Sequence, residues 1–88
     1  MYLGDFMTKF KRNFDFDDNI IETIAYNVIK YRKINGITQE HLAELANVST
    51  SLIGNLESKK TYQGISIYNL YKISKILNVP IEYFFIDR

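Results

Sequence analysis

The sequence contains no cysteine, a single proline and no long apolar run. Without cysteine there are no disulfides, no thiolate zinc sites and no cysteine nucleophiles, so the fold must depend on apolar packing. No stretch approaches the roughly 18 apolar residues of a membrane span, and charged residues interrupt the N-terminus where a signal peptide would lie. These absences predict a cytoplasmic chain that does not associate with a membrane.

An excess of charge of one sign is also lacking, because the formal net charge is only +1. No part of the chain is a strongly basic block, so composition alone does not indicate a nucleic-acid partner. The single histidine, His41, has Glu44 one helical turn away but lacks the further ligands that a metal site needs. We therefore predict no metal, no cofactor, no small-molecule effector and no enzymatic activity.

Apolar residues at helical spacing dominate the chain from Asn19 onward. Of the 88 residues 47% are hydrophobic and 15% aromatic, which is enough for one packed domain. The pattern predicts an all-α fold of five short helices and no strand over residues 19–88. Their expected starts are Asn19, which would form a reciprocal cap with Glu22, then Thr38, Ser49, Ser66 and Pro80.

The same spacing predicts which positions pack inward. The inward positions expected on the second to fourth helices are Leu42, Leu45 and Ala46; Ile53 and Leu56; and Ile67, Leu70, Ile73, Ile76 and Leu77, while the fifth helix carries Ile81, Phe84 and Phe85. The last helix is followed at once by Ile86, and a short helix cannot bury all three of Phe84, Phe85 and Ile86 against one core. We therefore expect these three residues to form the interface of a homodimer.

Residues 1–18 form an N-terminal arm whose pattern is ambiguous. Phe6, Phe10 and Phe14 keep helical spacing, whereas residues 14–17 alternate phenylalanine and aspartate like a strand. Two roles stay open at this point: an arm folded onto the surface of its own domain, and an arm that takes part in dimerisation.

Residues 38–58 have the dimensions of a helix-turn-helix motif, two short helices joined by a tight turn. Ala43 and Ala46 are small enough to let the helices approach closely, and Asn47 falls at the turn, where a positive φ is expected and asparagine tolerates it. The outer face of the second helix carries Thr50, Ser51 and Asn55, short polar side chains that can reach base edges in a groove of DNA.

An ordered series of residues at this spacing resembles the lambda-repressor-like, or XRE-type, DNA-binding domain. The series consists of Tyr31-Arg32-Lys33, Gly36-Ile37-Thr38-Gln39, Leu42-Ala43, Val48-Ser49, Ile53, Leu56-Glu57 and Leu77-Asn78-Val79. The resemblance covers roughly residues 20–86. It implies a five-helix domain that binds double-stranded DNA as a transcriptional regulator, with repression as its expected action.

The resemblance also assigns roles to individual residues. It implies that Gln39 contacts phosphate, that Thr50, Ser51 and Asn55 contact bases, and that Arg32 and Glu57 form a partly buried ion pair. The third helix has no lysine or arginine, so further backbone contacts must come from elsewhere. Together with Gln39, the residues expected to contact the DNA backbone are Lys33, Ser58, Lys59 and Lys60.

The chain departs from the family pattern at three positions. Lys59 stands where glycine is common, Gly64 stands near a usual proline, and Asn47 replaces the usual turn glycine. The near-neutral charge supports an alternative function, in which the same fold binds a protein partner as an antitoxin-like or regulator-sequestering module. Gln39, Asn55 and the lysines favour DNA binding.

Overall fold

The computed structural model describes residues 19–59 and 65–86, and the predictions for the arm and for Lys60 lie outside these ranges. The described residues form four α-helices, no strand, and one 3-10 helix. The elements are α1 (Ile20–Ile34), α2 (Gln39–Ala46), α3 (Thr50–Ser58), α4 (Ile67–Leu77) and the 3-10 helix η1 (Ile81–Phe85). The all-α prediction is confirmed, whereas the fifth segment is a 3-10 helix that begins directly after Pro80.

Hydroxyl side chains begin α2, α3 and α4 as predicted. Thr38 Oγ1 accepts a hydrogen bond from the backbone N–H of His41 at 3.0 Å, and Ser49 Oγ accepts one from that of Leu52 at 3.0 Å. Ser66 makes the equivalent bond at the start of α4. Each hydroxyl oxygen accepts a hydrogen bond from a backbone N–H group that has no partner within its own helix.

The start of α1 differs from its prediction. Asn19 has φ 59° and its side chain caps no backbone N–H, so the predicted reciprocal cap is wrong. A capping side chain needs an extended backbone at its own residue, and the left-handed conformation of Asn19 removes that geometry. Its amide instead donates to the Glu22 carboxylate at 2.7 Å.

The core lies where α1, α2, α3, α4 and η1 meet. Its buried hydrophobic residues are Ile24, Ala25, Val28, Leu42, Ala43, Ala46, Ile53, Leu56, Leu70, Ile73, Leu77 and Phe84. Two predicted inward residues are exposed instead, Leu45 at 52% and Ile67 at 71%. Leu45 lies off the side of α2 that carries Leu42, Ala43 and Ala46, and Ile67 lies in the first turn of α4, at the edge of the packed region.

The chain end is tied to α1 by a buried amide. Asn27 Nδ2 donates to the carbonyl oxygens of Phe84 at 3.1 Å and Ile86 at 2.9 Å. Phe84 is completely buried, with its ring centroid 6.4 Å from that of Tyr31. The prediction that Phe84 contributes to a dimer interface is therefore wrong, because its side chain is already part of the core. Phe85 and Ile86 remain 42% and 55% exposed.

Within the described ranges no helix is both long and apolar enough to cross a membrane.

Candidate nucleic-acid interface

A tight turn joins α2 to α3. Asn47 ends α2 with φ 56°, as predicted, and the next backbone N–H, that of Val48, bonds back to the Ala43 carbonyl at 3.0 Å. Ala43 and Ala46 are almost fully buried, so no large side chain separates the two helices. The turn fixes the angle at which α3 leaves the body of the domain.

The helix α3 has two chemically distinct faces. Its inner face consists of Ile53, Leu56 and Glu57, which are all buried. The exposed residues of this helix are Thr50, Ser51, Asn55 and Ser58. At 3.6 residues per turn Ser51, Asn55 and Ser58 lie opposite the inner face, whereas Thr50 is exposed because it lies in the first turn. We call these four residues the outer face of α3.

The outer face is polar and uncharged. Hydroxyl and amide groups both donate and accept hydrogen bonds, so they can pair with either kind of group on a base edge. Gly54 lies on the same side of the helix, and a Cβ built there meets only Gln39 Oε1, at 3.9 Å. The side chains of the outer face therefore project only a short distance from the helix, and another molecule can approach the backbone of α3 closely.

Arg32 and Glu57 connect the last turn of α1 to the last turn of α3. Arg32 Nε lies 2.7 Å from Glu57 Oε2 and Arg32 Nη2 lies 2.9 Å from Oε1, which is a two-point contact. A third guanidinium hydrogen bond reaches the Ile37 carbonyl at 2.9 Å. The side chains are 13% and 5% exposed, and the hydrogen bond to Glu57 raises the pKa of Arg32. The contact is the ion pair that the resemblance implied, and it also fixes the loop between α1 and α2.

Gln39 belongs to the same network. Its Nε2 donates to Glu57 Oε1 at 2.8 Å, so the carboxylate accepts hydrogen bonds from both Arg32 and Gln39. No local pattern predicted this contact, because residues 39 and 57 lie on different helices. Gln39 was expected to contact phosphate, and the structure places it at the start of α2, partly buried and held by Glu57.

The remaining residues expected at the DNA backbone lie in separate places. Lys33 is exposed in the last turn of α1, and Lys59 ends α3 with φ 64°. Lys59 Nζ lies 3.8 Å from Glu22 Oε1, a partly exposed pair that holds the lysine only weakly. Ser58 Oγ donates to the Asn55 carbonyl at 3.1 Å.

Comparisons with known proteins agree with this architecture. The sequence matches the helix-turn-helix family HTH_3 over residues 28–84. The control protein C.SmaI of Serratia marcescens is 35% identical over 63 residues, which is 72% of this chain and 73% of that protein.

Solved structures of other proteins share this helix-turn-helix fold. The N-terminal DNA-binding domain of SinR from Bacillus subtilis is 28% identical with a TM-score of 0.70, covering 76% of this chain and 96% of that one. The restriction-modification controller protein C.AhdI from Aeromonas hydrophila has a TM-score of 0.68 at 23% identity, covering 74% and 96%, which shows the shared fold. The chain belongs to the helix-turn-helix family and is a DNA-binding transcriptional regulator of the lambda-repressor-like type.

Proposed function

We propose that this regulator binds its operator sequence-specifically by placing the outer face of α3 in the major groove. The observation that carries the proposal is the division of α3 into a buried, anchored inner face and an exposed polar outer face. A recognition helix needs both properties, because base contacts require a rigid support and free donors and acceptors. The domain that does this is residues 19–88, with residues 1–18 as an appended arm.

Asn55 is the proposed main base contact, supported by Thr50 and Ser51. The asparagine amide both donates and accepts, and adenine offers a matching acceptor and donor, N7 and N6, in the major groove. The Thr50 methyl group can contact a thymine methyl. We therefore expect half-sites with A·T pairs opposite α3.

The proposed backbone contacts supply affinity that the uncharged outer face lacks. Lys33, Lys59 and Lys60 provide positive charge, while Gln39 and Ser58 offer hydrogen bonds near the ends of α2 and α3. The N-termini of α2 and α3 add backbone N–H groups, which favour phosphate. Few charges are involved, so the affinity for DNA of random sequence should be modest.

Phe85 and Ile86 are the proposed dimer contacts. Both are exposed large hydrophobic residues on a chain end that Asn27 fixes to α1. A two-fold dimer formed through this end would place two α3 helices roughly 34 Å apart, one turn of DNA, and would match a palindromic operator.

We further infer that the regulated genes belong to a restriction-modification system and that the chain represses transcription in the cytoplasm, without enzymatic activity of its own. The similarity to the control protein C.SmaI supports this inference, as does the likeness to the restriction-modification controller protein C.Esp1396I, which is 28% identical with a TM-score of 0.67.

Binding to the DNA upstream of the neighbouring genes tests the proposal directly. A dimer that neutralises three phosphates per half-site should show log Kobs falling against log[salt] with a slope of about −5. A shuffled duplex of the same composition is the control, and it should bind more weakly at every salt concentration. If neither duplex binds at low salt, the protein-binding alternative replaces this proposal.

A further inference from the structure

An apolar groove opens at the end of the molecule where α1 and α4 begin. Its floor is formed by the core residues Ile24, Leu56 and Leu70, and its volume is about 120 Å³. Ile67 and Phe85 form part of its rim, and both are substantially exposed. Exposed apolar surface of this kind costs free energy, and a groove that reaches the core is a place where another apolar group would be stabilised.

The N-terminal arm joins the domain beside this groove. Ile21, the second residue of α1, lines the groove, and Ile20 before it is 38% exposed. The preceding 18 residues contain Phe6, Phe10, Phe14 and Phe16, four of the six phenylalanines of the chain. Burying a phenylalanine side chain stabilises a fold by roughly 1.5–3 kcal/mol, so the arm carries a strong driving force to find an apolar surface.

We propose that residues 14–17 of the same chain cover this groove as an extended segment. In an extended chain Phe14 and Phe16 share one side and Asp15 and Asp17 share the other, so the phenylalanines can contact the groove while the aspartates face water. The volume accommodates about one aromatic ring, and the second ring would lie on the rim formed by Ile67 and Phe85.

The length of the connecting chain permits this arrangement. Phe14 is five residues before Asn19, and an extended chain spans at most about 3.6 Å per residue, or roughly 18 Å in all. The left-handed backbone of Asn19 also changes the direction of the chain at the point where it leaves α1. The proposal is independent of DNA binding, since it concerns a surface formed by the starts of α1 and α4.

Unfolding measurements on the full chain test the energetic part. Phe14→Ser and Phe16→Ser should each raise the unfolding equilibrium constant by roughly ten- to a hundredfold. Phe10→Ser is the matched control and should change it by less than about threefold. Equal effects of all three changes, or no effect of any, would contradict an extended segment in the groove.

A double-mutant cycle connects the arm to the groove. The Ile67 side chain is largely exposed to solvent. Ile67→Ser should therefore be almost neutral unless the arm covers this residue. We expect Ile67→Ser to destabilise the wild-type chain and to lose most of this effect in the Phe14→Ser, Phe16→Ser background. Additive effects would overturn the proposal.

The absence of native cysteine allows a geometric test by disulfide trapping. Phe14→Cys combined with Ile67→Cys should form an intrachain disulfide at nanomolar protein concentration, whereas Phe14→Cys combined with Leu45→Cys on α2 should not.

A disulfide found only between chains would show that a second copy occupies the groove. Equal rates of disulfide formation from position 14 to positions 45 and 67 would show that the arm does not dock in the groove. If Tyr62→Ser alone destabilises the chain and Phe14→Ser does not, the segment between α3 and α4 fills the groove. Each of these three outcomes overturns the proposal.

Discussion

Residues that are close together in the sequence of α3 lie in very different environments on its inner and outer faces. Glu57, on the inner face, is buried and accepts hydrogen bonds from Arg32 and Gln39. Asn55, two residues earlier, is exposed on the outer face. One nine-residue helix therefore combines a side that holds the fold together with a side that is exposed, and the two can be altered separately.

The buried network has a particular energetic character. A buried ion pair is not strongly stabilising in itself, because both charges lose their hydration. Loss of one partner is costly, since the remaining charge stays buried without compensation. The inner face should therefore be sensitive to substitution in a way that the outer face is not, and the following predictions are ordered by their expected effect on stability.

Glu57→Ala should have the largest effect. It strands the Arg32 guanidinium and removes the acceptor of Gln39, so we expect the free energy of unfolding to fall by about 3 kcal/mol in a denaturant titration. Arg32→Ala should cost a similar amount for the reciprocal reason.

Glu44→Ala is the matched control, because Glu44 is an exposed glutamate on α2. It should change the free energy of unfolding by less than about 0.5 kcal/mol. Two near-neutral results for Glu57→Ala and Arg32→Ala would mean that the pair is solvated in solution and does not tie α1 to α3.

Local rules made much of this region predictable. The caps at Thr38, Ser49 and Ser66 and the left-handed Asn47 follow from residue types within one turn of the chain. Long-range contacts are different. Asn27 lies on the same helical stripe as Ile24 and Val28, which hints that it is buried, but its bonds to the chain end depend on how η1 packs.

Burial was less predictable than helix position. Leu45 and Ile67 were misassigned because a helical stripe shows which residues share a side of a helix, whereas neighbouring elements decide how much of that side is covered. Phe84 was misassigned because the sequence does not show which of three consecutive apolar residues enters the core. Phe84 is buried because Asn27 holds the backbone around it against α1, and this contact spans 57 residues of sequence.

The first turn of α3 should respond less strongly than the buried pair. Ser49→Ala removes the side-chain acceptor for the Leu52 N–H and should lower the free energy of unfolding by about 1 kcal/mol. Ser51→Ala, on the outer face, should be close to neutral in the same titration. If Ser51→Ala lowers the free energy of unfolding as much as Ser49→Ala does, the Ser49 hydrogen bond is not what stabilises the first turn of α3.

Gly54→Ala should raise stability slightly and weaken DNA binding. The new Cβ has room, and alanine is favoured over glycine within a helix by roughly 0.5–1 kcal/mol. The same Cβ raises the profile of the outer face, so the affinity for operator DNA should fall while the melting temperature rises. Parallel gains in stability and DNA affinity would show that DNA does not approach this side of α3 closely.

Asn55→Ala tests most directly whether the outer face of α3 contacts bases. The change should leave the denaturation midpoint almost unaltered, because the side chain is exposed. Selection from a random duplex library, carried out with wild type and Asn55→Ala, should show a wild-type preference for A·T at one position per half-site. That preference corresponds to roughly 1–3 kcal/mol and should disappear in the variant, while the salt dependence of binding stays the same. Retention of the full wild-type base preference by Asn55→Ala, or a wild type that selects no sequence at all, would contradict the assignment of α3 as the recognition helix.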